Sequence, residues 1–230
     1  MPIVLVTGQH ADANFSGSAN SIAVSFPAST AGGHLITEVS LCNSAQTPTT
    51  PTDDKSNTYA VSAPQTIETP GTQVITGYYA KNCVAATLTV TAHFSANTGF
   101  QGIQIAEWSG VDTVAPLDQV GGQFTATTAD ALSPSKTPTQ DNELIWGACI
   151  ADAGASSRNS TGTSFTMIDA NTASGLGSEY FVQGTAAAIQ TEFKSTPTAN
   201  YAVLIATFFP ALRVPYDLPH SPAYQSLVAT

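Results

Sequence analysis

Short hydrophobic runs, separated by polar and proline-containing turns, extend along most of the chain. Residues 22–26 and 87–94 alternate apolar with small or polar side chains, a pattern typical of β-strands that bury one face. Residues 201–209 are almost continuously apolar, which indicates a strand that is buried on both faces or lies at the centre of a sheet. No segment shows sustained helical periodicity with caps. The pattern therefore predicts an all-β protein.

The second half of the chain repeats the order of the strand-like runs in the first half. Five runs recur about 100 to 110 residues apart. The runs at 33–39, 57–61, 75–79, 88–94 and 102–108 correspond in order to those at 142–148, 162–167, 177–181, 187–193 and 202–208. A solenoid needs roughly three or more shorter repeats, so two long copies indicate either the halves of one β-sandwich or two small sandwiches.

Short strands and the absence of a clear linker favour the single sandwich. We expect residues 1–210 to form one intertwined jelly-roll β-sandwich of two antiparallel sheets, with pseudo-repeats at about residues 20–112 and 130–210. Residues 211–230 differ, because they contain three prolines and two tyrosines without any period. This composition predicts an extended C-terminal arm.

An extended arm cannot easily bury its own apolar side chains. The arm therefore either folds back on its own domain or docks on a neighbouring subunit. In the docked alternative, the partner-binding residues are Leu212, Val214, Tyr216, Leu218 and Tyr224.

The charge content narrows the class of protein. Only 10% of the residues are charged, against about 25% in typical domains. Such a surface is common in proteins that live outside the cell or inside an assembly. The net charge of −10 argues against a nucleic-acid partner and against an anionic membrane surface, because both require clustered Lys and Arg.

The first residues do not resemble a signal peptide, and no run approaches the roughly 18 apolar residues of a membrane span. A secreted-looking composition without a signal is expected of a protein released by cell lysis, such as a virion component. Removal of a signal before the given sequence begins would explain it as well.

Cysteine usage does not indicate a disulfide framework or a metal site. The three cysteines are Cys42, Cys83 and Cys149, an odd number without a CxxC pair. Buried thiols are the ordinary interpretation. A Cys42–Cys149 bridge is the alternative, because both residues occupy nearly the same place in the two repeats.

Catalytic motifs are missing from the sequence. There is no Gly-x-Ser-x-Gly elbow, the four histidines are scattered, and no strand carries the closely spaced acids of a jelly-roll glucanase. We therefore expect a protein that is not an enzyme. Glu107, at a strand end, is expected to accept backbone N–H bonds from the following turn, with a catalytic or ligand role as the alternative.

Two weaker ligand sites remain. Glu107, Trp108 and Asp112 lie close together in sequence and could contact a glycan, with the Trp108 ring stacked on a sugar. Asp53, Asp54 and Asn57 offer oxygen ligands for Ca²⁺, although the segment lacks the Gly and the closing Glu of an EF-hand. A solvated turn is the ordinary interpretation of this segment, and no other cofactor is predicted.

Three motifs resemble a recurrent bacterial and phage domain family. They are Leu35-Ile36, Ser56-Asn57-Thr58-Tyr59 and Ile105-Ala106-Glu107-Trp108-Ser109-Gly110-Val111, similar to the family's "GdLL", "D..GNTY" and "E[YW]SG[VL]". Ser56 stands where that family has Gly. The resemblance covers roughly residues 14 to 210 and implies a concanavalin-like jelly-roll sandwich. Members occur in secreted bacterial proteins and in phage structural proteins, and the resemblance supplies no catalytic residues.

Together these observations favour a non-enzymatic virion structural protein. It would be a capsid decoration or cement protein, or a tail-associated protein, that binds neighbouring subunits through sandwich edges and the C-terminal arm. Its partners would be the major capsid protein or other virion proteins, together with further copies of the chain in a homo-oligomer. The alternative is an extracellular, lectin-like carbohydrate-binding module of a secreted bacterial protein.

Overall fold

Twelve β-strands and no helix are formed by the residues that the structure, a computed structural model, describes: 1–67, 72–151, 159–160, 165–171 and 174–211. The strands are β1 (Val4–Ser25), β2 (His34–Asn43), β3 (Pro48–Asp53), β4 (Tyr59–Ile67), β5 (Gln73–Cys83), β6 (Thr89–Ser109), β7 (Leu117–Leu132), β8 (Glu143–Ala151), β9 (Asn159–Ser160), β10 (Thr166–Asn171), β11 (Leu176–Gln183) and β12 (Glu192–Phe208). Their pairs are antiparallel, so the predicted all-β class is confirmed. Over these ranges, no helix is long and apolar enough to cross a membrane.

The two halves of the chain form two sheets with the same strand order. The first sheet has the order β1-β6-β2-β5-β4, and β3 also pairs with β6. The second has the order β7-β12-β8-β11-β10, and β9 also pairs with β12. Each strand of the first sheet therefore matches the strand six places later in the chain. The repeat in the sequence is the repeat of a complete six-stranded sheet.

The structural repeat differs in two ways from the one that the hydrophobic pattern predicts. It begins at Val4 and Leu117, earlier than the expected boundaries near 20 and 130, because the first parts of β1 and β7 are rich in polar and small residues. The halves are also not intertwined. Every pair among the described strands joins two strands of the same half.

Each sheet buries both of its faces. Along β2, Leu35 and Leu41 point into a core shared by the two sheets, whereas Ile36 and Cys42 point into a core that belongs to the first half alone. This follows from the two-residue period of a strand, and it explains why β2 is buried on both faces from Leu35 to Cys42. A corresponding outer core in the second half contains Phe193.

Two long strands close these outer cores. β6 has 21 residues, and its C-terminal part pairs with β2 while its N-terminal part pairs with the end of β1 and with β3. Leu88, Val90 and Phe94 thereby reach the outer core of the first half. β12 repeats this arrangement by pairing with β8 and then with β7 and β9. Each half is thus a small two-layered unit, and the two units pack together through the shared core.

Two aromatic contacts cross the shared core. Trp108 of the first half meets Tyr180 of the second edge to face, with ring centroids 4.9 Å apart. Tyr79 of the first half meets Phe208 of the second in the same way at 5.7 Å. Trp108 lies opposite Leu35 in the first sheet, and Phe208 lies opposite Leu144 at the matching position of the second. Exchanging the two halves therefore turns each aromatic contact into the other. The two halves are therefore related by a pseudo-two-fold axis.

Contacts at the sheet edges obey the same symmetry. β4 lies against β7, and β10, the match of β4, lies against β1, the match of β7. The interface between the halves is consequently isologous in form, like that of a two-fold homodimer whose subunits have been joined into one chain.

The cysteines are buried thiols in separate parts of the molecule. Cys42 and Cys83 lie in the outer core of the first half, and Cys149 lies in that of the second. The shared core separates Cys42 from Cys149, so the bridge considered between them is wrong. Burial raises the pKa of Cys42 and of Cys83 to about 12, which keeps both thiols protonated and unreactive at neutral pH.

The shared core predicts a large penalty for shortening Phe208. We expect Phe208→Ala to lower the free energy of unfolding by about 3–5 kcal/mol, because it removes a fully buried ring and its contact with Tyr79. Phe15→Ala, the same chemical change at a ring that is 46% exposed, should cost only about 0.5 kcal/mol. Urea unfolding of both variants measures the difference, and equal losses would contradict the assigned core.

Candidate functional site

Glu107 is a completely buried carboxylate that holds three segments together. Its oxygens accept hydrogen bonds from Gln9 Nε2 at 3.0 Å and from the backbone N–H of Ala31 at 2.7 Å. His34 Nδ1 lies 2.7 Å from the same carboxylate. Ala31 belongs to the connection between β1 and β2, so the backbone group that bonds to Glu107 comes from that connection. The following turn, which the sequence led us to expect, is not among these partners.

The second half has a buried carboxylate in the same place, supplied by a different strand. Thr207 occupies the register position of Glu107, and Glu143 occupies that of His34. Glu143 accepts the backbone N–H of Gln140 at 2.9 Å. Burial raises the pKa of Glu143, and the neighbouring Asp118 acts in the same direction.

The two backbone donors also correspond. Ala31 lies three residues before His34, and Gln140 lies three residues before Glu143. In each half, one carboxylate thus ties down the connection that leads into the second strand of the sheet. Because the same anchor occurs in both halves with the acid on different strands, its role is to hold the fold.

A second pair of buried acids, Glu38 and Glu179, also occupies matching places in the two sheets while coming from different strands. Glu38 lies opposite Tyr78 in the first sheet, and Glu179 lies opposite Gly147 at the matching point of the second. Burial raises the pKa of Glu38 to about 8, although the hydroxyl of Ser40 donates to this carboxyl and opposes the shift. All four acids are completely buried, so a solute cannot reach them in this arrangement.

Trp108 and Asp112 do not join Glu107 in one site. Trp108 is completely buried, its Nε1 donates to Thr37 Oγ1 at 2.9 Å, and its ring packs on Tyr180. Because successive residues of a strand face opposite sides, Trp108 points into the shared core and away from Glu107. Asp112 closes the next turn by accepting the backbone N–H of Val114 at 2.7 Å. The ring expected to stack on a sugar is not at the surface.

The segment considered for calcium is a self-contained turn. Asp53 accepts the backbone N–H groups of Lys55 at 2.9 Å and of Asn57 at 3.1 Å, and it also accepts the Asn57 amide. Asp54 accepts the N–H of Thr89 and pairs with the Lys55 ammonium, which lowers the pKa of Asp54. The oxygens of both acids thus accept hydrogen bonds from within the turn and, for Asp54, also from Thr89 of β6. No group of three or more His, Cys, Asp or Glu able to hold a metal occurs in the described part of the chain.

The predicted arm residues lie outside the described residues, but the point from which the arm leaves is well defined. Pro210 pairs with Val111, and the backbone N–H of Ala211 donates to the carbonyl of Gly110 at 2.8 Å. The arm residues concerned are Leu212, Val214, Tyr216, Leu218 and Tyr224. A cavity of about 250 Å³ beside this point is lined by both halves, including Ile3 and Val182.

A second concavity was not predicted from the sequence. We call it the Tyr79 cleft; it has a volume of about 400 Å³ and is formed where the end of β5 meets the turn before β4. Its lining residues are Ser56, Asn57, Thr58, Ala60, Tyr79, Lys81, Asn82, Val84 and Thr113. Three residues of the motif Ser56-Asn57-Thr58-Tyr59 line it. Because Tyr79 lies on an apolar strand, its sequence environment predicts a core residue.

Two of the cleft residues have an unfavourable backbone conformation. Ser56 and Asn82 have φ angles of 64° and 52°, in the left-handed region that favours glycine. Among the described residues, Asn142 is the other non-glycine residue of this kind, and it matches Gly33 in the turn that enters the second strand of each sheet. Asn142 is therefore explained by the repeat, whereas Ser56 and Asn82 occur together at the cleft.

Comparison of the chain with protein-family models, with curated proteins and with solved structures gives no match in any of the three. The resemblance to the bacterial and phage domain family consequently receives no support from these comparisons and rests on its three motifs.

The anchoring role of Glu107 predicts a rescue by copying the second half. Glu107→Thr should lower the free energy of unfolding by about 3 kcal/mol, because it leaves the donors of Gln9 and Ala31 without their acceptor. Adding His34→Glu reproduces the Thr207 and Glu143 arrangement and should recover part of this loss. Urea unfolding of the single and double variants measures the coupling. Purely additive losses would show that the two anchors are not equivalent.

Glu38 predicts a fall in stability with rising pH. Its pKa is raised from 4.5 to about 8 in the folded protein, so the unfolded chain loses this proton first. The contribution is fully present below pH 4.5 and is lost as the pH rises towards 8, by up to about 1.4 kcal/mol per pH unit. Glu38→Gln cannot ionise and should flatten the decline in urea-unfolding free energy over this range. Glu192→Gln, at a partly exposed acid, is the control, and parallel curves for Glu38→Gln and wild type would exclude this assignment.

Proposed function

We propose that this protein is a non-enzymatic structural component of a virion, either a capsid decoration or cement protein or a tail-associated protein. It binds neighbouring subunits through a sheet edge and the C-terminal arm. The observation that carries the proposal is the outer edge of β1, which offers a long row of backbone groups for pairing. The jelly-roll relationship of the sheets belongs to the same proposal and rests on the motif resemblance.

β1 has the features of an interaction edge. It is 22 residues long and pairs with β6 along one side. Asp12 is its single acid, and it contains no Pro, Lys or Arg. Proteins usually protect such edges with charges, prolines or short strands, because unpaired N–H and C=O groups recruit further strands. Val4 and Phe15, which are 48% and 46% exposed, add apolar surface beside these groups.

β4, β7 and β10, the other strands that end the two sheets, are shorter and better protected. β4 contains Pro64 and lies against β7, so these two edges cover each other in part. β10 has only six residues and an irregular register, and it lies against β1, where Asp169 comes within 3.5 Å of His10. β1 is the longest of these strands, so the part of its outer edge beyond His10 offers the most extended template for a strand from another subunit.

The arm supports the same role through its point of departure. Ala211 is tied to Gly110, and Pro210 pairs with Val111, so the arm starts from a rigid position at the junction of the two halves. An arm that leaves a rigid position can reach a neighbouring subunit without losing the order of the domain. Burial of its Leu, Val and Tyr side chains there would offset the cost of ordering the arm.

Composition and the buried acids also favour this role over catalysis. A surface with few charges is tolerated when much of it contacts neighbouring subunits. The four glutamates are completely buried and therefore unavailable to a substrate. With a net charge of −10, we propose neither a nucleic-acid partner nor an anionic membrane surface, and we place the protein in the virion as a homo-oligomer that contacts the major capsid or other virion proteins.

The alternative is an extracellular carbohydrate-binding module of a secreted bacterial protein. The burial of Trp108 removes the aromatic ring on which that alternative first rested. The Tyr79 cleft is the feature that now favours it.

The edge and the arm can be separated experimentally. Phe15→Lys places a charge beside the β1 edge and should weaken self-association about tenfold or more, since edge charges oppose strand pairing. Removing residues 212–230 should weaken the binding of purified virions that lack the protein. Sedimentation velocity measures the first effect, and co-sedimentation with the virions measures the second.

Val114→Lys is the control, because Val114 is 74% exposed and belongs to the connection between β6 and β7, outside β1. It should leave both measurements unchanged. A wild-type protein that stays monomeric and does not bind virions overturns the proposal. Full association of both altered proteins overturns the assignment of the edge and the arm.

A further inference from the structure

The Tyr79 cleft combines an aromatic ring with polar groups that the fold does not use. Its volume of about 400 Å³ lies within the range of small-molecule sites. The side chains of Ser56 and Asn82 make no hydrogen bond within the described part of the chain, and both are exposed. The Lys81 ammonium contacts the backbone carbonyl of Val114 and pairs with no carboxylate of the described residues.

Tyr79 gives the cleft a rigid aromatic surface. The ring is partly buried, and its edge-to-face contact with Phe208 fixes it against the shared core. A ring that is already ordered loses little conformational entropy when a ligand packs on it. The apolar side chain of Val84 lies in the same cleft and is 45% exposed. The cleft thus provides an apolar surface beside hydroxyl, amide and ammonium groups.

The backbone conformation of the lining residues is a second, independent observation. Ser56 and Asn82 hold left-handed φ angles of 64° and 52°, which glycine would adopt at lower cost. Non-glycine residues in this region concentrate at ligand-binding sites, where the side chain is retained despite the strain. Both strained residues carry hydrogen-bonding side chains into one cleft.

The charges of the chain and of the residues near the cleft indicate whether its ligand is anionic or uncharged. The net charge of the chain is −10, and Asp53 and Asp54 lie in the turn next to the cleft. Lys81 is the one charged residue among those that line the cleft, and Lys55 of the turn is paired with Asp54, so a polyanion is disfavoured. An uncharged ligand must have a face that packs on Tyr79 and several hydroxyl groups that bond to amide, hydroxyl and ammonium groups.

We propose that the Tyr79 cleft binds a neutral saccharide. One sugar ring packs on Tyr79, Asn82 and Ser56 exchange hydrogen bonds with its hydroxyl groups, and Lys81 donates to a sugar oxygen. This site is distinct from the β1 edge and does not depend on the virion proposal. A virion protein with such a site would hold its particle near glycan-bearing surfaces, and a secreted module would do the same for its parent protein.

The test uses the full-length protein and the methyl glycosides of glucose, galactose, mannose and N-acetylglucosamine. Saturation-transfer difference NMR should detect at least one of them, and titration calorimetry gives its affinity. Ser56→Gly and Asn82→Gly, combined, should weaken binding about tenfold or more by removing hydrogen-bonding groups. The same variant should have a higher midpoint of thermal unfolding, because glycine relieves the left-handed strain.

Weaker binding together with higher thermal stability distinguishes the loss of ligand-binding groups from damage to the fold. Lys81→Gln should also weaken binding, whereas Lys194→Gln, at an exposed lysine of β12, should not. Sedimentation of the glycine variant should match wild type, which separates this site from the β1 edge. The proposal is overturned if none of the four glycosides gives a signal with wild type, or if the glycine variant binds with unchanged affinity.

Discussion

The fold depends on two edge-to-face aromatic contacts that cross the core between the sheets, Trp108 with Tyr180 and Tyr79 with Phe208. Each half of the chain makes a sheet that is apolar on both faces, and it can cover only its outer face with its own long strand. The inner face must therefore be covered by the other half. Because the two contacts exchange under the pseudo-two-fold axis, the halves meet as the subunits of a homodimer would.

The buried acids show what the duplication has preserved. Glu107 and Glu143 anchor matching connections, yet they come from different strands. Glu38 and Glu179 likewise lie at facing positions of matching strand pairs, each on a different strand. A buried acid in each half thus occupies the same place in the sheet, although it stands at a different place in the sequence. Since removing a buried hydrogen-bond acceptor leaves its donors unsatisfied, the location constrains the chemistry more strongly than the sequence position does. We therefore seek function in the Tyr79 cleft, in the long edge of β1 and in the arm, which are not part of this shared framework of buried acids.

The sequence predicted the all-β class and the repeat because both are local patterns, and the match of Gly33 with Asn142 was visible from the start. Strand partners lie far apart in the sequence, so the sequence could not show that every strand pairs within its own half of the chain. The same limit applies to Glu107, whose backbone donor lies 76 residues away at Ala31. It also applies to Trp108, whose burial depends on a face that only the opposite sheet defines. The cleft was missed because Tyr79 lies on an apolar strand and its neighbours come from three segments.

The central claim is that the two halves form one cooperative unit through the shared core. Differential scanning calorimetry of the intact chain tests it most directly. We expect a single transition in which the calorimetric and van't Hoff enthalpies agree, with a ratio of about one. Two resolved transitions, or a ratio of about two, would show that the halves unfold independently and would contradict the account.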